Sequence, residues 1–178
     1  MTQTNNNNTL KERNTMALDN VNLGLANYWK VTCLDKDGNV KWEEDKKNLI
    51  TTVGLNHILD TQFHAGTQVT TWYIGLKGAG TPAAGDTMAS HSSWAELTGY
   101  SGNRKEWTEG AASSGSMTNS SSVDFSITGT ATVAGAFLNT AATGTAGILY
   151  GVVDFSSSRA VISGDTLQVT VTVTAASA

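Results

Sequence analysis

Apolar and polar positions alternate with a period of two through most of the chain beyond residue 27. Trp29, Val31 and Cys33 alternate with Lys30, Thr32 and Leu34, and Val40-Lys41-Trp42-Glu43 follows the sequence Asp35-Lys36-Asp37-Gly38-Asn39. Two alternating runs joined by an Asp-Gly turn predict a β-hairpin, with Gly38 supplying the positive φ. Lys46 to Val53 is expected as the next strand. The pattern then changes period. Leu55, Ile58 and Leu59 fall at helical spacing and predict a short helix over 52–63, packed on a sheet edge by those residues and Phe63. Gln68 to Leu76 is apolar in part on both faces, which predicts a central or sandwiched strand.

Residues 77–121 are broken repeatedly by Gly78, Gly80, Pro82 and Gly85 and read as loop. A loop of this length inside a compact domain is usually functional. Beyond it the period of two returns. Val123, Phe125 and Ile127 form one run, Thr132 to Leu138 a second, and Ile148 to Phe155 a third that is apolar on both faces. Arg159 to Ile162 is expected at an edge. Leu167, Val169, Val171 and Val173 alternate with Gln168 and three threonines, as in a half-buried strand. About eight short strands separated by turns predict an all-β fold. The expected architecture is an antiparallel β-sandwich, jelly-roll-like or alternatively immunoglobulin-like, with one short helix. The sandwich is expected over 27–178. Residues 1–26 carry no apolar period and include Asn5-Asn6-Asn7-Asn8. They are read either as a disordered tail or as an extended N-terminal arm that orders against a partner, anchored by Leu18, Val21, Leu23 and Leu25.

Charge sharpens this division. The chain has 178 residues, 11 basic and 15 acidic, with a formal charge of -4. Fourteen of the 26 charges lie in residues 1–50 and five in residues 109–178. A sparsely charged body stays soluble either by a hydroxyl-covered surface or by being covered by another protein. The acidic balance excludes a nucleic-acid groove, which needs clustered Lys and Arg. The apolar runs are too short for a membrane helix, and Met1 to Thr9 has no apolar signal region, so secretion by that route is not expected. The single Cys33 excludes an internal disulfide and a multi-cysteine zinc site.

Candidate chemistry is thin. Asp35-Lys36-Asp37 opens like a calcium loop but lacks the later ligands. His57 and His64 are seven apart with Asp60 between them, and are read as ordinary histidines rather than metal ligands. His91 neighbours Ser92 and Ser93, without the Gly-x-Ser-x-Gly elbow that strains a nucleophilic serine. Glu96, Glu106 and Glu109 lie near Trp94 and Trp107 without the spacing of a carboxylate pair. Cys33, on an alternating strand, reads as a core residue. No enzyme activity, metal or cofactor is expected. Trp94 and Trp107, both in the long loop, are the candidates for an exposed aromatic platform that binds sugar or protein.

Certain segments carry a likeness. They include Trp42 with Asn48-Leu49-Ile50, Gly54-Leu55, and Trp72-Tyr73-Ile74-Gly75-Leu76. Met88-Ala89-Ser90-His91 through Trp94-Ala95-Glu96 and Tyr100 follow. The last are Gly135-Ala136-Phe137-Leu138, Gly151, Phe155, Arg159 and Val161-Ile162-Ser163-Gly164-Asp165-Thr166-Leu167. Over about residues 28–175 the chain resembles a family of small structural virion proteins of tailed bacteriophages, some of them similar to capsid decoration, or cement, proteins. The resemblance implies a virion component on the outer capsid surface. It would bind the major capsid protein across capsomer seams and stabilise the shell. Self-association into dimers or trimers at symmetry axes is expected with it. The alternative is a head-fibre or tail-associated module that presents Trp94 or Trp107 to a receptor or glycan.

Overall fold

The computed structural model describes residues 23–177. Two antiparallel sheets face each other. Sheet A contains β1 (Leu23–Leu34), β2 (Val40–Lys47), β7 (Ser116–Thr118), β8 (Val123–Ser126) and β11 (Thr166–Ser177). Its order is β2-β1-β11, with β7 and β8 both paired to the far side of β11. Sheet B contains β3 (Leu49–Ile50), β4 (Trp72–Lys77), β5 (Glu96–Leu97), β6 (Lys105–Trp107), β9 (Ala131–Asn139) and β10 (Leu149–Val161). Its order is β3-β10-β9-β4, with β5 and β6 both on the outer edge of β4. The fold is the β-sandwich that the alternation predicts, and its first and last strands run side by side over 12 residues each.

The hairpin forms where Asp35-Gly38 predicts it. The Asp35 carboxylate accepts from the backbone N–H groups of Asp37 and Asn39 at 2.9 and 2.8 Å, and Gly38 has φ +84. On β1, Trp29, Val31 and Cys33 point into the sandwich, opposite Val171, Val169 and Leu167 of β11. Ile74 and Leu76 of β4 and Val133, Ala136 and Leu138 of β9 meet them from sheet B. The outward face of sheet A carries Tyr28, Lys30, Thr170 and Thr172 instead.

Sheet B is buried on its other face too. Phe137, Leu149 and Val152 point away from sheet A and pack with Met88 and Trp94 from the long loop. This explains the two apolar faces of Ile148 to Phe155. It also requires Gly75. A Cβ built there would lie 2.2 Å from the Phe137 ring, so the ring occupies the space that any other residue would fill.

The helix α1 (Thr52–Phe63) has the predicted bounds. Thr51 caps it, accepting from Gly54 N–H at 3.1 Å and donating to the Leu149 carbonyl. Gly54 lies against the Tyr150 backbone, where a Cβ would sit 2.4 Å from the carbonyl oxygen. These two contacts set the rotation of the helix, and the rotation corrects the expected packing. Ile58 faces the core, whereas Leu55, Leu59 and Phe63 face outward, 39, 55 and 83% exposed.

Other boundaries also shift. Lys46 and Lys47 complete β2, leaving only Leu49–Ile50 as the separate strand β3. The strand expected from Gln68 starts at Trp72. The expected edge piece at Arg159 is the end of β10, paired with β9 after a register shift. The loop of 77–121 contains β5, β6 and β7. Leu23 and Leu25, expected as arm anchors, belong to β1, opposite Ser177 and Ala175. Leu18 and Val21 lie outside the described residues.

Two polar clamps join the sheets. At one seam, buried Glu44 of β2 accepts from Arg159 Nε at 3.0 Å and from Ser156 N–H at 3.3 Å, both on β10. At the other, the Asn119 amide oxygen accepts from Val171 N–H at 2.8 Å and from Trp107 Nε1 at 2.6 Å. Its Nδ2 donates to the Val169 carbonyl at 2.8 Å. Asn119 thereby ties β11 of sheet A to β6 of sheet B.

Gly75→Ala forces the Phe137 ring aside and should cost about 1–3 kcal/mol of unfolding free energy, read from urea denaturation. Burial opposes the ionisation of Glu44, but the hydrogen bonds from Arg159 and Ser156 outweigh it and hold its pKa below the ordinary glutamate value. A depressed carboxylate adds stability that is fully present above its unfolded pKa and is lost as pH falls through the folded one. The melting temperature should therefore fall below about pH 4.3, and Glu44→Gln should flatten that part of the curve. An unchanged acid limb in the Glu44→Gln variant would contradict the clamp.

Candidate functional site: an uncharged groove beside the helix

The long loop is pinned to the outside of sheet B by charge and by stacking. Trp94 is 5% exposed. Its Nε1 donates to Asp86 Oδ2 at 2.8 Å, its ring stacks on His91 with centroids 4.0 Å apart, and Phe137 lies 5.4 Å away. Asp86 Oδ2 also accepts from Ala83 N–H at 2.9 Å. Buried Arg104 makes a two-point pair with Glu96, at 2.8 and 2.6 Å, and donates to the carbonyls of Ala141 and Gly144. Its guanidinium also lies 5.3 Å from the Phe137 ring centre. Lys77 is fully buried and donates to Asp154 Oδ1 at 2.6 Å and to the Gly78 and Gly80 carbonyls.

These contacts correct the expectation of an exposed platform in this loop. Trp94 covers the outer core of sheet B. Trp107 is also buried, at 4%, with its indole N–H committed to Asn119. A Trp within a Gly-rich loop suggests exposure only if the loop projects. Here the loop lies flat because sheet B has a second apolar face to cover.

The concave feature lies elsewhere, between α1 and the ends of the two sheets. It is a groove of about 290 Å³. One wall is aromatic, formed by Trp72, Trp107 and Tyr150. Trp72 stands edge-on between His57 and Tyr150, with ring centroids 5.8 and 5.6 Å apart. The facing rim is polar and uncharged, with Thr61 and Gln62 of α1 and Gln68 just after it. Thr61 Oγ1 is buried there without a hydrogen-bond partner. Tyr150 remains neutral, its phenol pushed up to about 12 chiefly by burial. Trp107 thus belongs to a recessed aromatic wall. Trp72 reads in the sequence only as a strand residue, and nothing in the local pattern marks Gln62 or Gln68.

The candidate reactive groups do not converge. His57 sits at the groove, whereas His64 is exposed one turn beyond Asp60, 3.6 Å from its carboxylate. Ser93 Oγ donates to the Thr81 carbonyl at 2.7 Å, and His91 Nδ1 lies 3.0 Å from the Trp94 carbonyl oxygen. Cys33 is buried, and burial followed by the nearby Asp165 charge pushes its thiol up to about 11. Among the described residues no three His, Cys, Asp or Glu side chains are grouped to hold a metal ion.

The sandwich thus carries beside α1 a groove that is aromatic on one wall and lined by no Asp, Glu, Lys or Arg. The family model described as podophage GP4 fiber I protein gp80 matches residues 49–176, from β3 through β11. The chain belongs to this family, and is a structural protein of a bacteriophage virion. No curated protein matches it.

Asp86→Ala leaves the Trp94 indole N–H buried without a partner and should cost about 1–3 kcal/mol. Hydrogen exchange should accelerate across residues 80–95 while β1 and β11 stay protected. Equal acceleration in both regions would mean that the loop is not a separately pinned layer.

Proposed function

We propose that this chain is a fibre component of the virion that acts by binding, without catalysis, and that its groove takes a saccharide of the host surface. The observation that carries the reading is the match to a fibre family from β3 through β11. It favours the fibre alternative over the expected decoration role. The groove supplies the chemistry. An aromatic wall stacks on the apolar C–H face of a pyranose ring, while Gln62 and Gln68 offer amide partners to its hydroxyl edge. An anionic sugar would have to give up its hydration without gaining a counter-charge. Each site is small, and many copies on one particle would convert weak binding into firm attachment.

In the decoration reading, contact with the major capsid protein would use the hydroxyl-rich outer face of sheet A. A reconstruction of the virion separates the two. Density for the sandwich in a projecting fibre supports the fibre reading, and density lying flat over capsomer seams supports decoration. For the groove, saturation-transfer NMR with cellohexaose, maltohexaose and chitohexaose should show contact with at least one of them and none with oligogalacturonate. Gln62→Ala with Gln68→Ala, both on exposed side chains, should weaken that binding about tenfold or more while leaving the melting temperature in place. Binding that survives the double substitution would place the saccharide elsewhere.

A further inference from the structure

The buried polar side chains Glu44, Lys77 and Arg104 all have protein partners, as does Asn119. Two asparagines contrast with them, because the whole amide of each is unengaged. Asn27 of β1 is fully buried, and neither its Oδ1 nor its Nδ2 has a hydrogen-bond partner among the described residues. The same holds for both buried amide atoms of Asn48, the residue between β2 and β3. The two residues are neighbours, since Asn48 N–H donates to the Asn27 carbonyl at 3.0 Å. Their amide nitrogens converge on Gly151 of β10. A Cβ built there would lie 2.3 Å from Asn48 Nδ2 and 3.5 Å from Asn27 Nδ2.

Folded proteins leave few buried polar groups unpaired, because an orphan carries its full desolvation cost. Four such atoms around one backbone position therefore call for a partner, and their chemistry selects it. Two Nδ2 donors that face the same point cannot bond each other and need a shared acceptor. The two Oδ1 atoms need donors. A cation cannot accept from Nδ2, and a simple anion cannot donate to Oδ1. Water does both and is small enough to sit between side chains closed off from bulk solvent. The Tyr150 phenol is a third group at this place. The Asn27 amide lies near enough to favour its ionised form, but burial dominates and pushes it up to about 12, so it keeps its proton. The geometry of a direct hydrogen bond between the two is not met.

We propose that Asn27 and Asn48, packed over the bare backbone of Gly151, bind an ordered internal water that bridges sheet A to sheet B. The site lies on the seam that Glu44 and Arg159 close, at its other end, where the chain crosses from β2 to β3 and pairs with Gly151 and Val152. It lengthens that clamp. Gly151 is required there, because any side chain would take the place of the Asn48 amide. The site also backs the groove. Tyr150, next to Gly151, stands in the aromatic wall, and Val173, opposite Asn27 on β11, lines the groove as well. The water bridge thus holds the wall in position before any ligand arrives, which limits the ordering cost of binding. It does not depend on the saccharide reading of the groove.

The test uses the full-length, isotope-labelled native chain. The side-chain amide protons of Asn27 and Asn48 should show cross-relaxation with a water of long residence time, recognised by NOE and ROE signals of opposite sign. This measurement needs no variant, so it decides the matter even if a substitution prevents folding. Asn27→Leu and Asn48→Leu each remove one side of the bridge and strand the other, and each should lower the melting temperature by about 4–8 °C. The double variant removes both sides together and should lose clearly less than the two single losses combined. Native amides that contact each other directly and show no long-lived water would overturn the proposal. So would single losses that simply add in the double variant.

Discussion

Sheet B has two apolar faces, and both must be shielded from water. Sheet A covers one. The other is covered by a segment with little regular structure of its own, and this requirement shapes much of the chain. Phe137 is the pivot. Its ring lies over the bare backbone of Gly75 and under Trp94, with the Arg104 guanidinium beside it. Burying a side chain of that size contributes about 2–3 kcal/mol, and the same contacts hold the loop against the sheet. Lys77 and Arg104 then donate to loop carbonyls, Lys77 to Gly78 and Arg104 to Ala141 and Gly144. Charged side chains are few in this half of the molecule, and these two serve as internal fasteners rather than as surface charges.

The same logic explains where the molecule is closed and where it is open. The two seams between the sheets are fastened, one by Glu44 with Arg159 and one by Asn119 with Trp107. The groove opens beside α1, next to the second of these clamps. The rigidity of the clamped body and the openness of that end belong together. A binding surface that is already formed loses little conformational entropy when it is occupied. Trp107 contributes to both features, since its ring lines the groove while its N–H completes a clamp.

The helix divides its own surface between two tasks. Its inner side is fixed by Thr51 and Gly54 against β10, and part of it forms the groove rim. Its outer side is apolar and free. A virion component works among many neighbours, so a face left apolar in the isolated chain is consistent with one that is covered in the assembled particle. The body's hydroxyl-rich sheet A and its pinned loop do not offer a comparable surface.

Much of the fold was legible from residue order alone. Alternation identified the hairpin at Asp35-Gly38, the strands around Phe125, Phe137, Val152 and Val169, and two strands apolar on both faces. Helical spacing gave α1 its bounds. These features depend on the local backbone period, which each residue expresses through its immediate neighbours. The outcome for Trp94, Leu59 and Gln62 was not local. Whether a tryptophan in a glycine-rich loop is exposed depends on what the sheet beneath it needs. Which side of an apolar helix is buried depends on a glycine touching a strand about a hundred residues away. Side-chain pattern fixes the period of each element, but the rotation of one element against another is set by contacts distant in sequence, so the groove and the free helix face emerge only when the chain is folded.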